Sequence, residues 1–367
     1  MKLSQIQEIF LKFDIPSPPI SFSAKQSGNI NRTYAVTTAD GVQYILQRVN
    51  TYVFKDPDAL MENVANVTAF LAKKIKRNGG DPMRETLNLL PAKNGGYYYR
   101  DPEDDAIWRI YYLVTDTIAY DAAVRSGILY EAAKAFGEFQ RQLEDYPAET
   151  LHDTIPDFHN TAKRYEAFET AVAADEAGRV ASVAEEIEML RALKPYASLI
   201  VTGIEEGRIP VRVTHNDTKL NNILMDAESG RGLCVIDLDT VMPGSLLYDF
   251  GDSIRFAANN TAEDDPDLSR IFLRLDLYEE YVSGFLKGVG DAITKDEIAL
   301  LPESVLILTY ELALRFMTDY LNGDKYFKIL SPDHNLVRTR AQLRLAEDIR
   351  QKLPLLRVMT EKYTKKQ

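Results

Sequence analysis

A short stretch of polar side chains has the types and spacing needed for phosphoryl transfer. Residues 215–222 follow the pattern H-x-D-x-K-x-x-N, and a later apolar run ends in Asp237. Transfer of a phosphoryl group from ATP needs a carboxylate that accepts the proton of the attacking hydroxyl, and an amide and a second carboxylate that hold Mg²⁺. Magnesium prefers such oxygen ligands. We therefore interpret Asp217 as a general base, and Asn222 and Asp237 as magnesium ligands.

The elements around these residues predict that they lie close together. One short apolar strand is predicted directly after Asn222 and a second directly before Asp237, with glycine-containing turn chemistry between them. We take Met225 as the partner of Leu233 in this hairpin. Asn222 then lies opposite Ile236, the residue before Asp237. The hairpin therefore brings both candidate ligands to one end, next to the loop that carries the candidate base.

A second acidic residue, Asp239, lies two positions beyond Asp237. Its carboxylate could bind a second metal ion or the substrate. It could equally cap the turn at Pro243-Gly244. We keep it among the candidate metal ligands.

Three longer motifs carry a family resemblance. They are T-H-N-D-T-K-L-N-N (Thr214–Asn222), V-I-D-L-D-T-V-M-P-G (Val235–Gly244) and L-Y-D-F-G-D-S-I-R (Leu247–Arg255). They resemble the protein-kinase-like superfamily of aminoglycoside phosphotransferases and choline kinases, and most closely the N-acetylhexosamine 1-kinases. The resemblance implies an enzyme that uses ATP and Mg²⁺ to phosphorylate the anomeric hydroxyl of N-acetylglucosamine or N-acetylgalactosamine.

The resemblance also implies roles for residues around the candidate base. Lys219 matches a lysine that contacts the γ-phosphate, with a solvated surface lysine as the alternative. His215 is similar to a histidine that braces the catalytic loop. Asp249 matches an acidic residue that accepts hydrogen bonds from that loop, and Asp252 is expected to give similar support or to cap a helix.

The nucleotide is expected to bind the N-terminal part of the chain, where a polar turn at residues 27–36 is followed by a strand at residues 42–49. The candidate side chains are Asn29, Arg32, Thr33, Gln47 and Arg48. Gln47 stands where the resemblance implies a lysine, and strand alternation sends Gln47 and Arg48 to opposite faces. Either Arg48 reaches the phosphates through a local bulge, or Arg32 takes this role.

A helix is predicted after Asp56 and Pro57, which are good first residues for a helix. Its apolar stripe consists of Leu60, Val64, Val67 and Leu71. Glu62 points away from this stripe. We therefore expect that the lysine–glutamate pair of protein kinases is absent.

The acceptor is expected to contact a C-terminal helix. Glu311, Arg315 and Asp319 recur at four-residue spacing on one helical face. They form either a surface ladder of ion pairs or a sugar site in which Arg315 and Asp319 bind hydroxyls or the acetamido carbonyl. The string from Leu314 to Asp324 resembles the 1-kinases, which favours the sugar site. Asn31 is the remaining candidate substrate ligand.

The order of predicted elements gives the fold class. Strands dominate up to a linker near residues 115–120, and helical patterns dominate afterwards. We expect an α+β, bilobal, protein-kinase-like fold with a small β-rich lobe at residues 1–115 and a large, mainly helical lobe at residues 116–367. The small lobe would cover the nucleotide. The large lobe would carry the catalytic loop, the metal site and the sugar site.

Composition excludes several classes of protein. The net charge of −12 argues against a surface for nucleic acid or anionic membranes. A single cysteine, Cys234, excludes a disulfide within the chain and fits a reducing, cytoplasmic compartment. We find neither a signal-peptide core nor an apolar run long enough to span a membrane. No obligate protein partner is implied.

Two alternatives stay open. The acceptor could be another small alcohol, such as choline, homoserine, methylthioribose or an aminoglycoside. The chain could also be a catalytically dead kinase fold that acts as a binding module, although its intact acid–amide–acid pattern argues against this. The glycine motifs of P-loop kinases and dinucleotide oxidoreductases do not occur.

Overall fold

The computed structural model describes residues 1–25, 31–123 and 125–364. The chain divides into two compact units. The smaller unit comprises Met1–Ile118, Asp145–Ile155 and Leu224–Met242, and the larger unit comprises Ala119–Glu144, Pro156–Ile223 and Pro243–Gln367. The tip of the predicted polar turn, with the nucleotide candidate Asn29, lies outside the described residues.

The chain contains short strands interspersed with helices in its first third, and long helices towards its end. In chain order the elements are α1 (Leu3–Phe10), β1 (Pro19–Lys25), β2 (Arg32–Thr38), β3 (Gln43–Val49), α2 (Pro57–Arg77), α3 (Pro82–Glu85), β4 (Tyr99–Arg100), β5 (Ile107–Tyr112), β6 (Thr117–Ile118), α4 (Ile128–Gln142), α5 (Thr161–Ala174), α6 (Ala184–Ala192), α7 (Leu199–Glu205), β7 (Arg212–Thr214), β8 (Ile223–Asp226), β9 (Gly232–Val235), β10 (Met242–Gly244), α8 (Leu246–Ala257), α9 (Leu275–Val289), α10 (Lys295–Leu321) and α11 (His334–Thr364).

The smaller unit is built on a five-stranded antiparallel sheet with the order β1-β2-β3-β5-β4. Strand alternation gives the sheet an apolar face, on which Tyr44 and Leu46 of β3 and Ile110 of β5 are buried with Ile6 and Phe10 of α1. A second sheet in this unit has the order β6-β8-β9. The sequence predicted β8 and β9, whereas β6 was not predicted.

Helix α2 has the start and the buried stripe predicted from the sequence. The Asp56 side chain accepts a hydrogen bond from the Ala59 N–H at 3.0 Å, and Pro57 is the first helical residue. The stripe that includes Leu60 and Val64 is buried. Local capping chemistry and helical periodicity were sufficient here, because both signals lie within the segment itself.

The larger unit is predominantly helical, with β7 and β10 forming a two-stranded sheet. Helix α10 packs against α5, α8 and α11. Gly251 of α8 permits its close approach to α10, because an added Cβ would lie 2.5 Å from the Ser304 carbonyl oxygen. This packing fixes the helix that carries Asp249.

The predicted fold class is confirmed: a small antiparallel sheet region is followed by a larger helical region. No helix in the described part of the chain is long and apolar enough to cross a membrane. Cys234 is a buried free thiol on β9, as its apolar context indicated.

Candidate active site

The candidate catalytic loop, residues 215–222 of the larger unit, is held by one buried carboxylate. Asp249 accepts hydrogen bonds from the His215 N–H at 3.0 Å and the Asn216 N–H at 2.7 Å. The Gln140 side chain donates a third bond to it at 2.7 Å. Burial raises the pKa of Asp249, whereas these hydrogen bonds and His215 oppose the rise. These bonds fix the backbone immediately before Asp217 and support the role that the resemblance implied for Asp249.

His215 is buried and contacts the loop rather than solvent. Its Nδ1 accepts a hydrogen bond from the Asp217 N–H at 3.2 Å, and its ring meets those of Phe136 and Phe139 edge to face. Asn216, between His215 and Asp217 in the chain, has a left-handed backbone, with φ of 64°. Asparagine tolerates this conformation better than most residues. The contacts of His215 support a bracing role.

The candidate base lies at the accessible end of this loop. The side chains of Asp217 and Lys219 are 23% and 36% exposed, and Lys219 Nζ lies 2.7 Å from Asp217 Oδ1. Asn222 Nδ2 donates to the Asp217 main-chain oxygen at 2.7 Å. The three residues that the spacing singled out within this loop therefore lie together, with Lys219 paired to the carboxylate instead of extending freely into solvent.

The orientation of Asn222 suits a cation ligand. Because its Nδ2 is used by Asp217, its Oδ1 is left as the acceptor end of the amide, and no described residue donates to this oxygen. In the described residues no three His, Cys, Asp or Glu side chains form a group that could hold a metal ion. A magnesium ion bound by one carboxylate and one amide would complete its shell with phosphate and water oxygens, as Mg²⁺ commonly does.

In the smaller unit, Asp237 follows β9 and has a left-handed backbone, with φ of 61°. It begins a single 3-10 turn, Leu238–Thr240, that contains Asp239. Asp239 is buried: its Oδ1 lies 2.6 Å from Arg109 Nη2, and its Oδ2 accepts a hydrogen bond from Asn31 Nδ2 at 2.6 Å. Both oxygens of Asp239 thus have protein partners that the sequence did not predict, and its carboxylate does not cap the Pro243-Gly244 turn.

Of the two alternatives for the phosphate-binding cation, the one in which a local bulge turns Arg48 towards the phosphates is wrong. Strand β3 pairs in regular register with β2 and β5, so Gln47 and Arg48 face opposite sides. Arg48 ion-pairs with Asp104 at 2.7 Å and lies over the Trp108 ring. Gln47, on the other face, donates to Thr33 Oγ1 at 3.1 Å and accepts from Arg109. Since the strand is regular, nothing local turns Arg48 towards the face of Gln47.

Arg109 is the cation that sequence reasoning missed. It lies on β5 opposite Gln47 and its side chain is 1% exposed. The signal was a single charged residue within the otherwise apolar and aromatic strand Ile107–Tyr112. Charged side chains are rarely buried without a partner, so this pattern could have indicated a buried ion pair.

On α10, the alternative of a surface ladder of ion pairs is wrong. Glu311 is buried, and accepts hydrogen bonds from His159 Nδ1 at 2.8 Å and Thr161 Oγ1 at 2.6 Å. The Arg315 guanidinium lies 5.7 Å from the Phe158 ring centre and 5.5 Å from that of Phe327. It forms no hydrogen bond or ion pair with any described residue, which leaves its donors available for a ligand.

Asp319 has a role that its spacing did not indicate. Its oxygens accept hydrogen bonds from the N–H groups of Tyr326 and Phe327 at 2.8 and 2.9 Å, and from Asn335 Nδ2 at 2.9 Å. The carboxylate is therefore committed to its own protein. It holds the segment whose Phe327 ring flanks Arg315, instead of standing open to a sugar as predicted.

A cavity of about 350 Å³ lies beside the catalytic loop and is lined in part by Leu220, Arg255 and Glu263. Arg255 is paired with Asp252 at 2.7 Å and with Glu263 at 2.9 Å. Asp252 is therefore occupied in an internal ion pair. The cavity offers no unpaired arginine to a ligand.

Comparisons with known proteins agree with this fold. The structure resembles a microcompartment-associated aminopropanol kinase, with 18% identity, a TM-score of 0.63, and coverage of 96% of this chain and 99% of that one. An aminoglycoside phosphotransferase from Alicyclobacillus acidocaldarius is 15% identical, with a TM-score of 0.62 and coverage of 97% of this chain and 96% of that one. A choline kinase from Cryptosporidium parvum is 13% identical, with a TM-score of 0.57 and coverage of 99% of both chains. At such identities these similarities show the fold alone.

The family follows from the sequence itself. The profile of the phosphotransferase enzyme family, APH, matches residues 22–282, which is well over half of the chain. The matched region contains Asp217, Lys219, Asn222, Asp237 and Asp249, the residues singled out for phosphoryl transfer. The chain belongs to the phosphotransferase enzyme family.

Proposed function

We propose that this phosphotransferase uses ATP and Mg²⁺ to phosphorylate the anomeric hydroxyl of N-acetylhexosamines, which gives the sugar 1-phosphate. The observation that carries the phosphoryl-transfer part of the proposal is the candidate catalytic loop of the larger unit, and the acceptor is proposed from the motif resemblance and from the surroundings of Arg315. In this loop a partly exposed Asp217 is fixed by Asn222, paired with Lys219 and preceded by backbone that Asp249 holds. This is the arrangement that a base needs if it is to meet an acceptor hydroxyl.

In the proposed reaction, the sugar hydroxyl oxygen attacks the γ-phosphorus, and the bond to the β-phosphate oxygen breaks with release of ADP. Asp217 orients the hydroxyl and accepts its proton as the new bond forms. The Lys219 ammonium, which pairs with Asp217 at 2.7 Å, offsets negative charge beside the reacting groups. We expect Asn222 and Asp237 to hold Mg²⁺, which would neutralise charge on the phosphates.

The surroundings of Arg315 favour a neutral acceptor over a cationic one. Burial lowers the pKa of Arg164, and the nearby charge of Arg315 lowers it further, whereas Glu311 opposes the shift. Two cations thus share this region, and the Glu311 carboxylate is already bonded to His159 and Thr161. The aromatic faces of Phe158 and Phe327, which a choline site would offer to the ligand, are already used by Arg315. A guanidinium with available donors suits the carbonyl oxygen of an acetamido group or sugar hydroxyls.

An acceptor panel tests this proposal. With Mg²⁺ and ATP, N-acetylglucosamine or N-acetylgalactosamine should outperform plain glucose and galactose by on the order of 10- to 1,000-fold in kcat/KM, because a site built for the acetamido group leaves polar groups unpaired without it. ADP release measures the rate, and phosphorus NMR locates the phosphate. Preferential use of choline or an aminoglycoside, or phosphate on O6, would overturn the proposed substrate.

Arg315→Ala should reduce the preference for N-acetylated sugars. The expected result is a smaller ratio of kcat/KM between N-acetylglucosamine and glucose, because the lost guanidinium discriminates through the acetamido group rather than through proton transfer. Arg338→Ala is the matched control, since Arg338 also lies over a phenyl ring, that of Phe316 at 5.3 Å. An unchanged ratio in Arg315→Ala would remove Arg315 from the acceptor site.

A further inference from the structure

The smaller unit contains a buried arginine whose whole guanidinium is held by protein groups. Arg109 Nε and Nη2 both donate to Gln47 Oε1, at 3.0 and 2.8 Å. Nη2 also lies 2.6 Å from Asp239 Oδ1, and Nη1 contacts the Met61 sulfur of α2 at 3.7 Å. The Arg109 and Asp239 side chains are only 1% and 4% exposed. This pair is therefore shielded from the water and salt that weaken surface ion pairs.

Arg109 stays charged in this environment because of its neighbours. Burial lowers its pKa, whereas Asp239 and, to a lesser extent, other neighbours raise it, and the net shift is upwards. Asp237 acts on the pKa of Arg109 in the same upward direction. One buried cation is thus set against both acidic residues of the segment that follows β9.

Asp239 is held at both of its carboxylate oxygens, close in sequence to Asp237. Only one residue separates the two, and Asp237 has a left-handed backbone at the start of a single 3-10 turn. Such a conformation is sparsely populated unless surrounding contacts impose it. Arg109 holds one oxygen of Asp239, and Asn31 holds the other. Asn31 is itself fixed, because its Oδ1 accepts from the Asn50 N–H at 2.9 Å.

The described residues of this unit contain no ion pair between a lysine at position 47 and a glutamate of α2, the pair that the resemblance to protein kinases would imply. Gln47 occupies the strand position expected for a lysine, and Glu62 on α2 is exposed and contacts His152 at 2.9 Å. Arg109 links the strands and α2 to the segment after β9 instead. Arg109 donates to Gln47 on the sheet, contacts Met61 of α2 and forms an ion pair with Asp239.

We propose that Arg109 is a positioning residue that acts through Asp239 to hold Asp237 in its metal-binding conformation, in place of a lysine–glutamate pair. This assignment rests on the proposed Mg²⁺ role of Asp237. It makes Asp239 the partner of Arg109 rather than a metal ligand. It also accounts for a charged residue within an otherwise apolar strand.

The test compares Arg109→Met, Asp239→Asn and the double variant in binding of Mg-ADP, measured by calorimetry over a series of Mg²⁺ concentrations. Each single variant should raise the Mg²⁺ concentration needed for half-maximal binding by about 10- to 100-fold, the usual effect of losing a group that orients a metal ligand. Because both residues act through one pair, the double variant should be no worse than the more affected single variant. In turnover assays of Arg109→Met, KM for the acceptor should stay within about twofold, because this substitution replaces neither Arg315 nor Asn31, and Asn31 contacts Asp239 rather than Arg109.

Arg357→Met is the control for a purely structural loss. Arg357 pairs with the buried carboxylate of Glu303, between α10 and α11. Its removal should lower Tm without moving the Mg²⁺ dependence. Should Arg109→Met fail to fold, Arg109→Lys decides, since an ammonium keeps the charge but cannot reproduce the planar fork that joins Gln47 to Asp239. An intermediate shift in Mg²⁺ dependence is then expected.

Two results would overturn the assignment. In one, folded Arg109 and Asp239 variants keep the wild-type Mg²⁺ dependence. In the other, Arg109 variants lose nucleotide affinity equally at all Mg²⁺ concentrations, which would place Arg109 on the phosphates. Failure of the proposed substrate would be recognised separately, because Mg-ADP binding can be measured without any acceptor.

Discussion

Asp217→Asn should lower kcat by about 100-fold or more, while nucleotide affinity stays nearly unchanged. The amide keeps the shape of the side chain and its contact with Lys219 but cannot accept a proton from the acceptor. Proton transfer belongs to the transition state, so its loss appears in kcat rather than in ground-state binding of ATP. Single-turnover rates with the best acceptor, together with ADP titrations, measure the two quantities.

The matched control is Asp157→Asn. Asp157 is also an accessible carboxylate of the larger unit that pairs with a lysine, Lys163, at 2.8 Å. It lies outside the catalytic loop, so the substitution should leave kcat within about twofold, as for most surface changes. A near-wild-type kcat in Asp217→Asn would show that another group accepts the proton.

Local signals explain why the catalytic loop could be predicted from the sequence. Asp217, Lys219 and Asn222 lie within six residues of one another, so their spacing alone brings them into one loop. Helix α2 was predicted for a similar reason, since its cap and stripe are contained in its own segment. The support from Asp249 is a longer-range contact, and it was accessible only because the motif around it resembles known kinases.

The pairs that cross long stretches of sequence could not be predicted in this way. Arg109 and Asp239 are far apart in the chain, and nothing in their local patterns identifies each as the partner of the other. The return of residues Asp145–Ile155 and Leu224–Met242 to the smaller unit is also a tertiary feature. Such pairings depend on which strands become neighbours, and hydrophobic periodicity does not specify that order.

The α10 face shows a different limit. Four-residue spacing correctly placed Glu311, Arg315 and Asp319 on one side of a helix, but it did not reveal that this side is largely buried. Burial turned Glu311 towards His159 and Asp319 towards backbone N–H groups, because buried carboxylates need such partners. Of these three side chains, Arg315 is the one that forms no hydrogen bond with a described residue. The pattern therefore identified the face, and the packing decided the role of each residue.

Asp237→Ala and Asn222→Ala should each increase the Mg²⁺ requirement, and Asp237→Ala should have the larger effect. A carboxylate attracts the ion through a full charge, whereas an amide does so through a dipole. Loss of a group that merely orients a metal ligand costs about 10- to 100-fold in metal affinity or activity, so loss of the Asp237 ligand itself should cost at least as much. Activity measured over a series of Mg²⁺ concentrations gives the half-saturation point for each variant.

The double variant, Asn222→Ala with Asp237→Ala, provides the sharper test, because two residues that act through one ion should show strongly non-additive effects.

Asp226→Asn is the control for the Mg²⁺ titrations. Asp226 ends the strand that begins beside Asn222, and its carboxylate pairs with Arg84 at 3.1 Å. Hydrogen bonds from Ser229 lower its pKa to about 2, so it is anionic at neutral pH, yet its replacement should not alter the Mg²⁺ dependence. If neither Asp237→Ala nor Asn222→Ala moved the Mg²⁺ titration, the two residues would not be magnesium ligands. Additive effects in the double variant would mean that they act on separate ions.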